Sequence, residues 1–407
     1  MAPPRPGAHA RLRALSAMAG YALRFPGKTV ANLRRPAFVA NSVREALGVR
    51  RRTPDLIRLV LFATARCNAR CLMCDVGQGA PGGLNGAVRR QQRPFLEPDL
   101  LRRLLDDPLL RRRRLTVSLL MTEPLLHPRI DDIVRMIAER GHHVDLVTNG
   151  LLLAERAAAL ASAGIDTIHV SLDGPAEVHD RIRGVPGAFR RAVAGIRAVN
   201  RLGPVPVAVT CTISAANQHA LPELVTALER EGLAIDLLKF QFQFFVSAPM
   251  AVASGEQQAG WTSSIYPEVD PGSVDPAALA ETLRGIRRRG CAAARRLAIF
   301  PDVSSAREIA DYFSSAGAPL PGNSTCLIPW QQLALTTDGE ALVHMRCFDY
   351  RVGSFPGEDL SALFNGERMR RFRETLRAAD YCLPGCTRCA CALAPPVIRP
   401  ATPSARA

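Results

Sequence analysis

The chain has 407 residues, 47% of them hydrophobic, and carries 52 lysines and arginines against 37 aspartates and glutamates, a formal net charge of +15. This size and apolar content allow one large domain and a smaller one. No apolar run approaches the length of a membrane span and no small-residue cleavage site follows the first apolar stretch, so we expect no signal peptide and no membrane partner. Seven of the 11 cysteines are clustered as in metal sites, which require reduced thiolates, so we expect a cytoplasmic protein. The basic residues are spread along the chain, which favours solvated surface over a nucleic-acid partner.

Changes in composition and periodicity divide the chain into five predicted regions. They are a basic N-terminal extension (1–54), a core of strand–helix units (55–245), a connector with helices (246–320), a cysteine-rich domain (321–394) and a disordered tail (395–407).

Within the predicted core, short apolar runs alternate with amphipathic stretches, which is typical of a parallel sheet covered by helices. In chain order we predict strand 57–64, helix 98–106, strand 115–121, helix 129–140, strand 143–147, helix 152–163, strand 167–172, helix 188–202, strand 205–213, helix 220–231 and strand 237–244. With right-handed crossovers these units form an α/β fold, a partial (βα)6 barrel of the TIM type.

Three cysteines follow the first predicted strand: Cys67, Cys71 and Cys74, in the segment CNARCLMC. Three thiolates hold a four-iron cluster and leave one iron without a protein ligand. An open iron of this kind can chelate the amino and carboxylate groups of S-adenosylmethionine and deliver one electron to its sulfonium. The alternative is a structural zinc site, which would need a fourth ligand nearby. The next histidine along the chain is His127.

Polar motifs also follow the next three predicted strands, as TEP, TNG and DGP. In parallel barrels the chemistry collects where the carboxyl ends of the strands meet. We therefore expect these motifs and the cysteine loop to lie at one rim.

Together these motifs resemble those of the radical S-adenosylmethionine (radical SAM) superfamily over about residues 55–245. The resemblance implies that Cys67, Cys71 and Cys74 hold the reducing [4Fe-4S] cluster. It also implies that Met73, which precedes the last cysteine, lies near the adenine of S-adenosylmethionine.

The rim motifs supply the remaining cofactor contacts that the resemblance implies. Met121-Thr122-Glu123-Pro124 stands where the family has Gly-Gly-Glu-Pro, so Glu123 is expected at the cofactor amino group and the Thr122 hydroxyl in place of a glycine backbone contact. The other expected contacts are Asn149, Ser171 and Asp173 with the ribose or methionine moiety, and Arg183 with the carboxylate.

A second group of cysteines lies near the C-terminus, and Asp338-Gly339 between its first two members predicts a β-hairpin. This pattern resembles the SPASM or twitch extension, which implies one auxiliary [4Fe-4S] cluster. The preferred ligands are Cys326, Cys347, Cys386 and Cys389, with Cys382 or Cys391 as substitutes. A zinc knot is the alternative for this module.

The resemblance implies an enzyme that cleaves S-adenosylmethionine to a 5′-deoxyadenosyl radical and abstracts hydrogen from a biosynthetic substrate, with the auxiliary cluster aiding oxidation. We expect a small metabolite such as a sugar or aminocyclitol as substrate, with a peptide as the alternative, and a flavodoxin or ferredoxin as reductant. No catalytic acid or base is assigned. The alternative from another class is a zinc-binding regulatory or nucleic-acid-binding protein.

Overall fold

The structure is a computed structural model that describes residues 40–41, 45, 55–79, 83–257, 271–303, 305–314, 326–343, 348–379 and 381–388. The strands are β1 (Arg58–Leu61), β2 (Thr116–Leu119), β3 (His143–Thr148), β4 (Thr167–Ser171), β5 (Val207–Ile213), β6 (Leu237–Phe242), β7 (Leu297–Phe300), β8 (Gln332–Leu335), β9 (Glu340–Leu342) and β10 (Arg351–Ser354). They form one sheet in the order β10-β9-β8-β1-β2-β3-β4-β5-β6-β7.

The helices of the described residues lie between and after these strands. They are α1 (Asp75–Gln78), α2 (Gly83–Arg90), α3 (Pro98–Leu105), α4 (Pro108–Arg111), α5 (Ile130–Glu139), α6 (Leu153–Ala163), α7 (Ala176–Arg183), α8 (Ala188–Arg201), α9 (Leu221–Arg230), α10 (Ala248–Gln257), α11 (Pro276–Arg289), α12 (Ala306–Phe313), α13 (Leu360–Asn365) and α14 (Glu367–Ala378). None of them is both long and apolar enough to cross a bilayer.

The predicted parallel α/β core is confirmed. All six predicted strands and all five predicted helices are present, with ends within three residues of those predicted. These elements could be predicted because buried and exposed residues alternate along them. On β6, for example, the side chains of Leu238, Phe240 and Phe242 are fully buried, and those of Lys239 and Gln241 are partly exposed. One face of the strand therefore packs in the main hydrophobic core, and the other lines the barrel interior.

The structure contains two parallel strands more than the six predicted. β7 follows α11 and pairs with β6, and β8 pairs with β1 on the other side. The pattern did not predict β7 because it has only four residues and lies in the predicted connector. Within the described residues β7 and β8 are the outer parallel strands and do not pair, so the barrel is open between them.

The predicted hairpin of the cysteine-rich domain is also present, as β8 and β9, and it continues into the antiparallel β10. Gly339 in its turn has a φ of +85°, and a Cβ there would lie 2.1 Å from the carbonyl oxygen of Phe355. Only glycine fits this turn without displacing the strand-end backbone beside it.

The hairpin turn is bonded to the segment that follows α2. The carboxylate of Asp338 accepts the backbone N–H groups of Gln92 and Arg93, at 2.7 and 3.0 Å. The Thr337 hydroxyl donates to the carbonyl of Arg93, and Arg90 forms ion pairs with Glu340 and Asp349. The chain that leaves the cysteine loop is thus anchored on the cysteine-rich domain.

Candidate metal and cofactor site

The cysteine loop follows β1 and is held by the end of α7. The backbone N–H groups of Arg70 and Leu72 donate to the carbonyls of Arg183 and Ile182, both at 2.9 Å. Cys71 is buried, Cys74 and Met73 are partly buried, and Cys67 is exposed. The loop therefore has a fixed backbone that carries thiols at different depths.

The three thiols of this loop are the donor set of an iron–sulfur cluster with one open iron. In the described part of the chain no three histidine, cysteine or acidic side chains converge closely enough to hold one metal ion. Tetrahedral zinc would need its sulfurs about 3.8 Å apart. A four-iron cluster binds each thiolate on a different iron, so its ligands need not converge on one point.

Desolvation of the Cys67 thiol disfavours its thiolate form. The residue as a whole is exposed, but its thiol has a pKa raised to about 12, mainly by desolvation. The charges of Cys71, Glu123 and Cys74 contribute to the same rise. Coordination to iron would supply a positive charge that stabilises this thiolate.

Glu123 joins the ends of β2 and β3. Its carboxylate, 1% exposed, accepts hydrogen bonds from the Thr148 hydroxyl at 2.7 Å, the Asn149 N–H at 2.8 Å and the Leu125 N–H at 3.1 Å. Burial raises the pKa of Glu123 to about 7 against the opposing effect of these bonds. The carboxylate already has three protein donors, so its contact with the cofactor amino group stays a prediction.

The neighbouring candidates also tie the rim together. The Thr122 hydroxyl donates to the carbonyl of Thr64 at the end of β1. The side-chain amide of Asn149 donates to Asn68 Oδ1 at 2.7 Å, one residue after Cys67. The structure therefore brings Thr122, Glu123 and Asn149 to the cysteine loop, as the sequence predicts.

Met121 has a backbone conformation that favours glycine. Its φ is +102°, one of two positive φ values at non-glycine residues of the described chain. It stands where the first glycine of the family motif is expected, and its backbone conformation is one that glycine adopts without strain. A side chain there stores strain of about 1–3 kcal/mol.

We expect Met121→Gly to raise the free energy of unfolding by about 1 kcal/mol relative to Met121→Ala. Both variants lose the same packing of Met121 in the small cluster around Phe62, but alanine keeps the Cβ that strains the backbone. Urea denaturation of both variants measures the difference. Equal stabilities would show that position 121 is not strained.

The candidates after β4 are arranged differently from the expectation. Asp173 is fully buried: its Oδ1 accepts the Thr212 N–H at 3.0 Å, and its Oδ2 lies 2.6 Å from Arg183 Nη2. The Arg183 Nη1 donates to the Cys71 sulfur at 3.5 Å. Burial opposes the charge of Arg183, but Asp173 and Cys71 outweigh it and raise the pKa of the guanidinium. Contacts of Asp173 with ribose and of Arg183 with the cofactor carboxylate stay predictions.

The described part of the cysteine-rich domain brings three predicted ligands into one region. The backbone N–H of Cys326 donates to the carbonyl of Tyr381, next to Cys382, at 3.0 Å. Cys386 is buried in a turn whose Gly385 N–H donates to the Ser254 hydroxyl of α10 at 2.8 Å. Burial raises the pKa of the Cys382 thiol to about 11. The other candidates, Cys347, Cys389 and Cys391, lie outside the described residues.

The sequence reasoning identified Ser171 at the end of β4 but missed the polar side chains on the interior faces of β5 and β6. Thr210, Thr212, Lys239 and Gln241 are, like Ser171, partly exposed on strands whose alternate residues are buried. This period of two was visible in the sequence, and it could have identified them as lining the barrel. They lie on the sheet face opposite the one that packs in the main hydrophobic core.

Comparison with known protein families agrees with this arrangement. Residues 61–216 match the radical SAM superfamily, and residues 326–390 match SPASM, an iron-sulfur cluster-binding domain. The fold and site thus define a cluster-bearing α/β-barrel protein. The chain therefore contains a radical SAM domain and a C-terminal SPASM domain, as the motifs predict. The first domain implies a [4Fe-4S] cluster and S-adenosylmethionine, and the second implies auxiliary iron–sulfur clusters.

Similarity to individual curated relatives is partial. The chain is 39% identical over 129 residues to the AdoMet-dependent heme synthase of Methanosarcina barkeri, which covers 31% of the chain and 35% of that protein. It is 29% identical over 190 residues to the pre-heme d1 synthase of Dinoroseobacter shibae, covering 46% of the chain and 43% of that protein. The matches therefore span less than half the length of these two relatives.

Solved structures share the fold. The structure of anSMEcpe with bound AdoMet matches with a TM-score of 0.53 at 14% identity, over 78% of this chain and 82% of that one. Streptococcus suis SuiB bound to S-adenosylmethionine matches with a TM-score of 0.50 at 16% identity, over 76% and 65%. At these identities the match concerns the fold alone.

Proposed function

We propose that this protein cleaves S-adenosylmethionine reductively and uses the resulting radical to oxidise a small, polar biosynthetic substrate inside the barrel. The observation that carries the proposal is the fixed loop of Cys67, Cys71 and Cys74, joined through Asn149 and Arg183 to the ends of β3 and β4. When bound there, the cluster supplies one electron to S-adenosylmethionine, which yields methionine and a 5′-deoxyadenosyl radical that takes a hydrogen atom from the substrate.

The protein's own residues position the reactants. Three hydrogen bonds to Glu123 fix the ends of β2 and β3, and the Arg183 ion pair with Asp173 fixes the end of β4. A rim held in this way keeps the cofactor close to a substrate in the interior, which is the main protein contribution to radical transfer. An auxiliary cluster held by the cysteine-rich domain would supply an acceptor for the electron that the substrate gives up together with a proton.

The barrel interior supports a substrate rich in hydroxyl groups. Ser171, Thr212 and Gln241 offer uncharged donors and acceptors on neighbouring strands. Gln243, at the end of β6 and 3% exposed, has no hydrogen-bond partner for either amide atom in the described structure. Buried polar groups are normally paired, so an unpaired amide at a strand end suits a ligand contact. A sugar or aminocyclitol supplies matching groups.

A peptide substrate is the second candidate. Streptococcus suis SuiB bound to its precursor peptide SuiA matches with a TM-score of 0.50 at 15% identity, over 88% of this chain and 74% of that one. Within the described residues β7 and β8 do not pair, and this gap supports access for a longer substrate. In either case the electron donor is proposed to be a flavodoxin or ferredoxin.

Anaerobic reconstitution with iron and sulfide tests the proposed function. We expect about eight iron atoms per chain, which corresponds to two four-iron clusters, and 5′-deoxyadenosine on reduction in the presence of S-adenosylmethionine. Stoichiometric zinc without cofactor cleavage would instead support the zinc-binding alternative. Candidate cyclitols and peptides can then be compared by deuterium transfer into 5′-deoxyadenosine.

The unpaired amide of Gln243 has a measurable consequence for stability. We expect Gln243→Leu to raise the free energy of unfolding of the metal-free protein by about 1 kcal/mol, because it removes a buried polar group without a partner. Gln218→Leu is the matched control. Gln218 is also buried, but it donates to Ser273 and accepts from Asp275, at 2.9 and 2.7 Å.

The control is expected to lose about 1–3 kcal/mol, because two backbone groups lose their partner. Urea unfolding of both variants distinguishes the two glutamines. A similar loss of stability in both would show that Gln243 has a structural partner and is not held open for a ligand.

A further inference from the structure

Arg183 contacts the sulfur of Cys71, one of the three predicted cluster ligands. Its side chain is 11% exposed, and its Nη1 donates to the buried sulfur of Cys71 at 3.5 Å. Its Nη2 lies 2.6 Å from Asp173, which is itself fixed by the N–H of Thr212. The guanidinium therefore bridges a buried carboxylate and a thiol of the cysteine loop.

The backbone fixes the distance between Arg183 and Cys71. The carbonyls of Ile182 and Arg183 accept the N–H groups on both sides of Cys71, those of Leu72 and Arg70. Gly184 follows with a φ of +65°, and a Cβ there would lie 3.0 Å from the carbonyl oxygen of Arg70. Because α7 ends directly against the cysteine loop, Arg183 reaches the sulfur without crossing solvent.

We propose that Arg183 is a positioning residue that fixes the Cys71 sulfur and raises the reduction potential of the cluster that this sulfur binds. The inference rests on the proposed function. Hydrogen bonds to ligand sulfurs stabilise the reduced, more negative form of a cluster. Asp173 offsets the long-range charge of the guanidinium, so the effect of Arg183 acts mainly on the sulfur that it contacts.

The test is a redox titration of the reconstituted, full-length protein, followed by electron paramagnetic resonance. Only the signal that changes on adding S-adenosylmethionine is used, because that response identifies the cluster with the open iron. In Arg183→Met we expect the ratio of reduced to oxidised cluster at a fixed potential to fall at least tenfold, which is about 59 mV for one electron.

Two further variants control the result. Arg181→Met removes a cation from the same helix that is exposed and donates to the carbonyl of Ala216, and its midpoint is expected to equal that of the wild type. Arg183→Lys keeps the charge, but a single ammonium does not span both Asp173 and Cys71. We expect a smaller shift in the same direction.

The outcomes separate this inference from the proposed function. A wild-type protein with no signal that responds to S-adenosylmethionine overturns both. A wild-type signal whose midpoint is unchanged in Arg183→Met, at equal iron content, overturns only the role of Arg183. If Arg183→Met takes up no iron, the titration is carried out on Arg183→Lys instead. A midpoint potential of Arg183→Lys equal to that of the wild type then overturns the inference.

Discussion

Cys71→Ala is expected to abolish 5′-deoxyadenosine formation and to lower the iron content from about eight to about four atoms per chain. Two remaining thiolates do not hold the cluster that delivers the electron. The loop itself is expected to stay folded, because its bonds to α7 come from the backbone of Arg70 and Leu72 and not from the cysteine side chain. Iron analysis and chromatography of the reduced reaction measure both effects.

Cys291→Ala is the control for the loss of a thiol. Cys291 is buried after α11 and is not among the predicted ligands, so its replacement is expected to leave iron content and cofactor cleavage unchanged. Full 5′-deoxyadenosine formation by Cys71→Ala would exclude the cysteine loop as the site of cleavage.

Cys386→Ala is expected to lower the iron content by the same amount but to retain cleavage of S-adenosylmethionine. The variant loses the auxiliary cluster but keeps the cysteine loop, so 5′-deoxyadenosine still forms while oxidation of the substrate stops. Cys386 is 6% exposed and lies in a turn docked on α10 through Gly385 and Ser254. The same iron analysis and a product assay distinguish the two cysteine variants.

The Cys71→Ala and Cys386→Ala variants together test which cysteines hold which cluster. Iron loss with cleavage retained in Cys386→Ala, and iron loss with cleavage abolished in Cys71→Ala, would assign one cluster to each group of cysteines. An unchanged iron content in Cys386→Ala would remove this cysteine from the ligand set, and Cys382 and Cys326 would then be tested in the same way.

Most of the core could be predicted because its signals are local. Alternation of buried and exposed residues along β6 gives its limits and faces, and the turn residues Asp338 and Gly339 give the hairpin. The pairing of β8 with β1 could not be predicted in this way, because it joins residues about 270 positions apart through backbone bonds that carry no sequence signature.

In the site, too, the local signals could be predicted from the sequence and the long-range contacts could not. The cysteine spacing and the polar motifs after β2, β3 and β4 identified residues that do meet at one rim. The sequence did not reveal that Met121 adopts a φ of +102°, since only the surrounding fold imposes a conformation that its side chain disfavours. Nor did it reveal that Arg183 turns toward Cys71, because arginine is common throughout this chain.

The sequence by itself thus identified the radical SAM and SPASM domains, since three thiols at fixed spacing and turn motifs at strand ends are covalent, local properties of the chain. The tertiary structure decided which groups act on one another: Glu123 with the end of β3, and Arg183 with Cys71 and Asp173. It also left the amide of Gln243 without a hydrogen-bond partner among the described residues. Such contacts depend on the directions and burial of side chains distant in sequence, and only the packed barrel fixes these.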